Sequence, residues 1–204
     1  MPNYRLHYFP ESGNSYKLAL MLTLCGETRT AEWRARVNPM GEIPVLEVDG
    51  ERLTQTAPIL LKLAKDYGKF GATTEQEQFE LLRWLFWDNH KLTGYMATYR
   101  YSRAFTPTPD AQVLKHFRRR LDDFLSILER HVAQNDFAIG GRPTIADISM
   151  MAYLHFPADE TGYDLAKSHP AIHGWLGRMA ALPGWKPAYD LLPGQRLKFY
   201  ASAL

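Results

Sequence analysis

Asn38-Pro39-Met40-Gly41-Glu42-Ile43-Pro44-Val45-Leu46 is the stretch whose reading decides the fold. Pro44 stands just before a short apolar run, and a proline there has no N–H to give to a strand ladder. The backbone at Ile43-Pro44 is therefore diverted from the sheet for another purpose. X-Pro is the one context in which a cis peptide is inexpensive, although trans remains the commoner form. A cis bond would turn the backbone groups of Ile43 away from the sheet, where an extended peptide ligand could pair with them.

Asp49-Gly50 reads as a two-residue hairpin turn, so Ile43–Val48 and Arg52–Thr54 are expected to pair as strands. Thr56 suits a helix N-cap, with Pro58 tolerated in the first turn and the helix running to about Tyr67. Upstream, Tyr4–Phe9 alternates around Leu6 and Tyr8 and reads as a strand. Pro10–Asn14 is turn-rich, and Ser15–Leu24 reads as a buried helix with Gly26 as its C-cap. Thr30–Val37 reads as a short helix capped by Thr30. The order is strand, helix, strand, hairpin, strand, helix: a small α/β layer.

Past Tyr67–Thr74, a linker by composition, the pattern becomes helical. Glu75–Tyr101 is a long helical stretch rich in aromatics. Ala111–Val132 sets Leu114, Phe117, Leu121, Phe124, Leu125 and Leu128 on one face. Thr144-Ile145-Ala146-Asp147 opens a further helix behind a capping box, and His173–Leu182 forms another. A boundary near residue 70 divides an α/β domain, residues 1–68, from an all-helical domain, residues 75–204.

The 204 residues are 46% hydrophobic and 23% charged, with a formal net charge of +2. That balance suits a globular chain and argues against nucleic acid or an anionic membrane as partner. The basic run Lys115–Arg120 is followed by Asp122-Asp123 and keeps helical phase, so it reads as a solvated helix face. His169 and His173 have no third ligand nearby, and no metal site is expected. No apolar run has the length of a membrane span, and the N-terminus lacks a secretory h-region. Cys25 is the only cysteine, which excludes a disulfide framework and makes a reducing, cytoplasmic setting the default.

Taken together, five segments resemble the cytosolic glutathione transferase family, in particular bacterial members of serine or tyrosine type. They are Leu6–Phe9 with Ser12-Gly13-Asn14-Ser15-Tyr16-Lys17, then Asn38–Leu46, then Gln55-Thr56-Ala57-Pro58-Ile59-Leu60. Arg142–Asp147 and His169–Leu176 follow in the helical half. The resemblance implies a thioredoxin-like N-terminal domain that binds glutathione and an all-α C-terminal domain that shapes a co-substrate pocket. It also implies a homodimer, and glutathione as co-substrate with no other cofactor. The activity implied is conjugation of the glutathione thiolate to hydrophobic electrophiles. The alternatives are glutathione-dependent peroxide or disulfide reduction, or binding without catalysis.

Carried over residue by residue, Thr56 and Gln55 would hold the γ-glutamyl end, and Ile43 beside Pro44 would pair with the cysteinyl backbone. A free thiol titrates near pKa ~8.5, so its ionisation needs donors that favour the anion. One hydroxyl hydrogen bond to an anion, worth roughly 1.5–3 kcal/mol, suffices for one or two pKa units. Two hydroxyls compete for that role. Ser12 lies in the turn after the first strand, and Tyr8 lies on the strand itself. Ser12 is favoured, with Asn14 as a further donor to sulfur or glutathione. Trp84, Trp87, His90, Tyr95 and Tyr99 are the candidates for the electrophile pocket.

Two departures from the family pattern stand out. No apolar alternating segment fills the place of the second strand near Cys25–Thr30. Either that edge strand is absent, or the sequence lacks a stretch there, the second being favoured because an absent edge would uncover the first strand. Glu42 is the other, since an acid beside an anionic ligand is mildly unfavourable.

Overall fold

The computed structural model describes residues 3–25, 30–31 and 42–200. Gly26, the span 32–37 and the segment Asn38–Gly41 lie outside the described residues.

Strand β1 (Tyr4–His7) is an inner strand of a four-stranded sheet of order β2-β1-β3-β4. β2 (Thr30–Ala31) runs parallel to it, with Arg5 opposite Thr30. β3 (Val45–Val48) runs antiparallel on the other side, with Leu6 opposite Leu46. β3 and β4 (Glu51–Thr54) join through Asp49-Gly50, whose φ values of 51° and 91° are the two positive values a type I′ hairpin demands.

β2 corrects two expectations. Thr30 begins a strand where a capped helix was read, and the edge strand that seemed missing is present. At two residues it is too short for alternation to register in the sequence, yet it covers the side of β1.

Helix α1 (Gly13–Leu24) is buried on almost every side, from Ser15 to Leu22, its charged Lys17 included. Its last residue is followed by Cys25 as C-cap, not Gly26. α2 (Thr56–Tyr67) lays Ile59, Leu60 and Leu63 into the same core and stops at Gly68, which takes the left-handed φ of 61°. The linker is tied down beyond it: Ile145 N–H donates to the Phe70 carbonyl at 2.9 Å, and Arg142 Nη1 to that of Gly71 at 2.9 Å.

The helical half begins with α3 (Glu75–Trp87) and α4 (Thr93–Phe105), which a π-helical turn over Asp88–Leu92 joins. The helical stretch expected over 75–101 is present, with that π turn inside it. α5 (Ala111–Val132) presents the apolar face read from its sequence. α6 (Ile145–Met151) starts behind the expected capping box, in which Thr144 N–H donates to Asp147 Oδ2 at 2.8 Å. Asp147 Oδ1 also receives Ala138 N–H at 2.7 Å and Trp175 Nε1–H at 3.0 Å, so one carboxylate joins three segments. Short helices α7 (Ala158–Thr161) and α8 (Leu165–Ser168) precede α9 (Pro170–Ala180), which starts at the proline and not at His173. α10 (Ala188–Leu191) leads into an extended tail.

α1 is held against the helical half by a fully buried ion pair. Lys17 Nζ donates to Asp88 Oδ2 at 2.8 Å and to Thr93 Oγ1 at 3.0 Å, and Thr93 Oγ1 in turn donates to Asp88 Oδ1 at 2.7 Å. Ser149 of α6 adds a further hydrogen bond to Asp88 Oδ2. Removing one partner of such a pair strands the other charge, a loss of about 3–5 kcal/mol. Lys17→Met should therefore lower stability by that order in urea unfolding, whereas Lys17→Met with Asp88→Leu should recover a large part of it. Equal losses in the single and double variants would contradict this account.

Candidate functional site

The loop from β1 to α1 sets the site. Ser12 N–H donates to the Phe9 carbonyl at 2.9 Å, which tightens the turn, and Ser12 Oγ then caps α1 by accepting Ser15 N–H at 3.1 Å. A hydroxyl has one proton and two lone pairs, so a capping serine keeps its proton for another acceptor. Arg100 fixes this loop from α4. Its Nη1 donates to the Glu11 carbonyl at 2.6 Å, and its Nε to Glu160 Oε2 at 2.9 Å. Its guanidinium lies 3.5 Å from the centre of the Phe156 ring.

Tyr8, the competing hydroxyl, is placed differently. Its O–H donates to the Pro193 carbonyl in the C-terminal tail. The same tail brings Arg196 Nε and Leu197 N–H to Glu11 Oε1, at 3.0 and 2.8 Å. Tyr8 thus helps to strap the tail across the start of the fold.

On the neighbouring edge the Ile43-Pro44 peptide is cis. Gln55 takes φ 68° and precedes α2, and its Nε2 donates to Glu42 Oε2 at 2.8 Å. Glu42, anomalous in the sequence, thereby orients the Gln55 amide. Thr56 is the first helical residue, not the cap, and is buried, so its N–H lies in the first turn, where helical partners are lacking. Asn14 lies in the first turn of α1, half-buried.

Ser12 and Ile43 share a cleft of about 360 Å³ with Phe9 and Glu11, and Ala97, Thr98, Tyr101 and Phe105 of α4 stand opposite. A larger hollow of about 900 Å³, between the end of α2, the linker and the start of α6, contains none of the expected site residues. The aromatics expected at the co-substrate pocket lie elsewhere. Trp84 and Trp87 pack edge to face, Trp87 and Tyr95 each meet Phe124, and Tyr99 meets Tyr163. His90 is exposed. On α4 the cleft is lined by positions 97, 98, 101 and 105, a different face from 95 and 99.

A β-α-β unit followed by β-β-α, with a cis-proline strand start and a helical bundle packed on α1, is the architecture of a known family. Residues 111–178 match the family described as glutathione S-transferase, C-terminal domain. A glutathione S-transferase from Arabidopsis thaliana is 24% identical over 186 residues, covering 86% of this chain and 73% of its own. A maleylacetoacetate isomerase from Rhizobium meliloti is 27% identical over 173 residues, 74% of this chain and 79% of its own. A crystal structure of a glutathione S-transferase from Pseudomonas fluorescens superposes with a TM-score of 0.80 at 28% identity, covering 92% of this chain and 99% of that one. Residues 111–178 carry that family's C-terminal domain, and the chain is similar in sequence and fold to glutathione transferases over most of its length. Its fold is a thioredoxin-like N-terminal domain with an all-α C-terminal domain.

For a transferase-family site, one residue escaped the sequence reading. Tyr153, just beyond α6, lines the same cleft as Ser12. Its ring lies so close to α1 that a Cβ on Gly13 would stand 2.4 Å from Tyr153 Cδ2. Burial pushes the phenol pKa up, opposed by the Arg100 charge and by hydrogen bonds from the Ser12 hydroxyl and from the N–H groups of Asn14 and Gly13. Only the glycine at 13 could have hinted at this approach. Gly13→Ala should lower stability by about 1–3 kcal/mol, as overpacking does. In a Tyr153→Ala background the same change should cost little. A double-mutant cycle in urea showing additivity would refute the contact.

Proposed function

We propose that this protein is a glutathione transferase that adds the glutathione thiolate to hydrophobic electrophiles. The carrying observation is the cleft shared by Ser12 and Ile43, which meets an apolar face of α4 at Ala97, Tyr101 and Phe105. In this reading residues 1–68 are the glutathione-binding domain and residues 75–204 form the co-substrate pocket. Ile43 beside Pro44 supplies backbone pairing to the cysteinyl residue, and Thr56 with Gln55 receives the γ-glutamyl end at the start of α2. Asn14 is a further donor along the same edge.

Ser12 is the hydroxyl that ionises the thiol. Its oxygen already accepts a backbone N–H, and its one proton, shared with Tyr153, would turn to the sulfur when glutathione is bound. Tyr8 is set aside because its O–H is directed to Pro193. The reaction then follows from charge alone. The thiol proton leaves to solvent, sulfur attacks the electrophilic carbon, and the leaving group departs with the bonding pair. The single cysteine, Cys25, suits the reducing cytoplasm, where such a co-substrate would be used. Among the described residues no helix is long and apolar enough to cross a membrane.

A glutathione-affinity column should retain the protein, and chloro-dinitrobenzene should be conjugated at a measurable rate. No retention and no turnover would sink the enzyme reading. In ultraviolet titration of bound glutathione, Ser12→Ala should raise the thiol pKa by one to two units. Tyr8→Phe should move it less, and the reverse order would transfer the role to Tyr8.

A homodimer completes the proposal. Phe79 and Phe86 are 64% and 72% exposed two turns apart on α3, an apolar face that a second copy would cover. Light scattering should give a dimer for the native chain and a monomer for Phe86→Glu. A native chain of monomer mass would remove the dimer from the account.

A further inference from the structure

We propose that Tyr153 is a second hydroxyl at the thiol position, and that its phenol O–H donates to the glutathione sulfur alongside Ser12. This inference rests on the reading of the Ser12 cleft as the glutathione site.

The geometry begins at Gly13. Any side chain there would collide with the Tyr153 ring, so the glycine admits the phenol to the first turn of α1. The ring itself is buried, 6% exposed, in a stretch of the helical half wedged between α1 and Phe156. Its orientation is thus fixed by packing and not by solvent. From that position the phenol lines the cleft together with Ser12, Ile43 and the apolar face of α4.

The hydrogen-bond chemistry gives the phenol its direction. The N–H groups of Gly13 and Asn14 can only donate, so in bonding to Tyr153 they engage its oxygen as acceptor. With its lone pairs taken by those N–H groups, the phenol keeps its proton for an acceptor in the cleft, and the neighbouring Ser12 hydroxyl can turn from the phenol to the same acceptor. Burial keeps the phenol protonated through the neutral range, so it acts as a donor and does not compete as a base. A thiolate within reach of both hydroxyls would receive two O–H bonds. One comes from the α/β domain and one from the helical domain. No proton need be transferred to either.

The test compares wild type, Tyr153→Phe and Ser12→Ala by glutathione binding, ultraviolet titration of the bound thiol and conjugation rate against pH. Tyr153→Phe keeps the ring against Gly13 and removes only the O–H. Glutathione affinity should stay within about twofold, and the bound thiol pKa should rise by about one unit. kcat/KM at neutral pH should then fall about tenfold and recover as pH passes the new pKa. Incorporating 3-fluorotyrosine at position 153, a more acidic phenol of nearly the same shape, should shift the thiol pKa downward. Binding with an unchanged thiol pKa in both substituted proteins overturns the role of Tyr153 alone. Failure of wild type to bind glutathione overturns the site reading, and this inference with it.

Discussion

The buried pair of Lys17 and Asp88 is the constraint on which the arrangement depends. Both side chains are fully enclosed, and each would be prohibitively costly to bury alone. Their mutual attraction, with the hydroxyls of Thr93 and Ser149, therefore admits one relative placement of α1, the α3–α4 junction and α6. The π turn makes that possible. Residues five apart diverge around an α-helix, but the wider turn closes an i→i+5 bond from Thr93 N–H to the Asp88 carbonyl. Asp88 and Thr93 then face the same ammonium. Ser12 caps the N-terminus of α1, little more than one turn from Lys17, so the charge pair also fixes where the Ser12 hydroxyl stands.

Local chemistry in the sequence was enough for the features that local chemistry creates. Asp49-Gly50 could only be a tight hairpin, the Thr144–Asp147 spacing only a capping box, and the period of Leu114 to Leu128 only a helix face. Ile43-Pro44 located the site edge because proline limits the backbone whatever surrounds it. Thr30–Ala31 was misread because a two-residue strand draws its identity from β1, not from its own pattern. Thr56 was taken as a cap because threonine favours caps, yet the preceding Gln55, held by Glu42, enters the helix at positive φ and assumes that position.

The aromatics named for the co-substrate pocket are absent from the lining of the Ser12 cleft for a different reason. Trp87, Tyr95 and Tyr99 were chosen by residue type, but aromatic density says nothing about which helix face looks at solvent, core or cleft. The π turn rotates α4 relative to α3 by an amount no periodicity count includes. Arg100 was equally hidden, because its partners Glu11 and Glu160 are distant in sequence and meet only in the folded chain. Tyr8 is the sharpest case. It reads as part of the strand, where a catalytic tyrosine would stand, but it lies one residue past β1, and the returning C-terminal tail brings the Pro193 carbonyl to its hydroxyl.

The surroundings of Ser12 are assembled from both domains. Ser12 belongs to the α/β domain, where Phe9 and Ser15 bond to it, but the residues beside it are held from the helical domain: Arg100 holds the Glu11 carbonyl, and Tyr153 packs on Gly13. A thioredoxin-like domain by itself would present Ser12 on a loop whose preceding carbonyl lacked its guanidinium and whose first helical turn lacked the phenol. Preorganised donors stabilise a developing anion because they need not reorient when charge appears. The hydroxyl proposed to activate the thiol is therefore local to one domain in sequence, while its preorganisation is a property of the contact between the two.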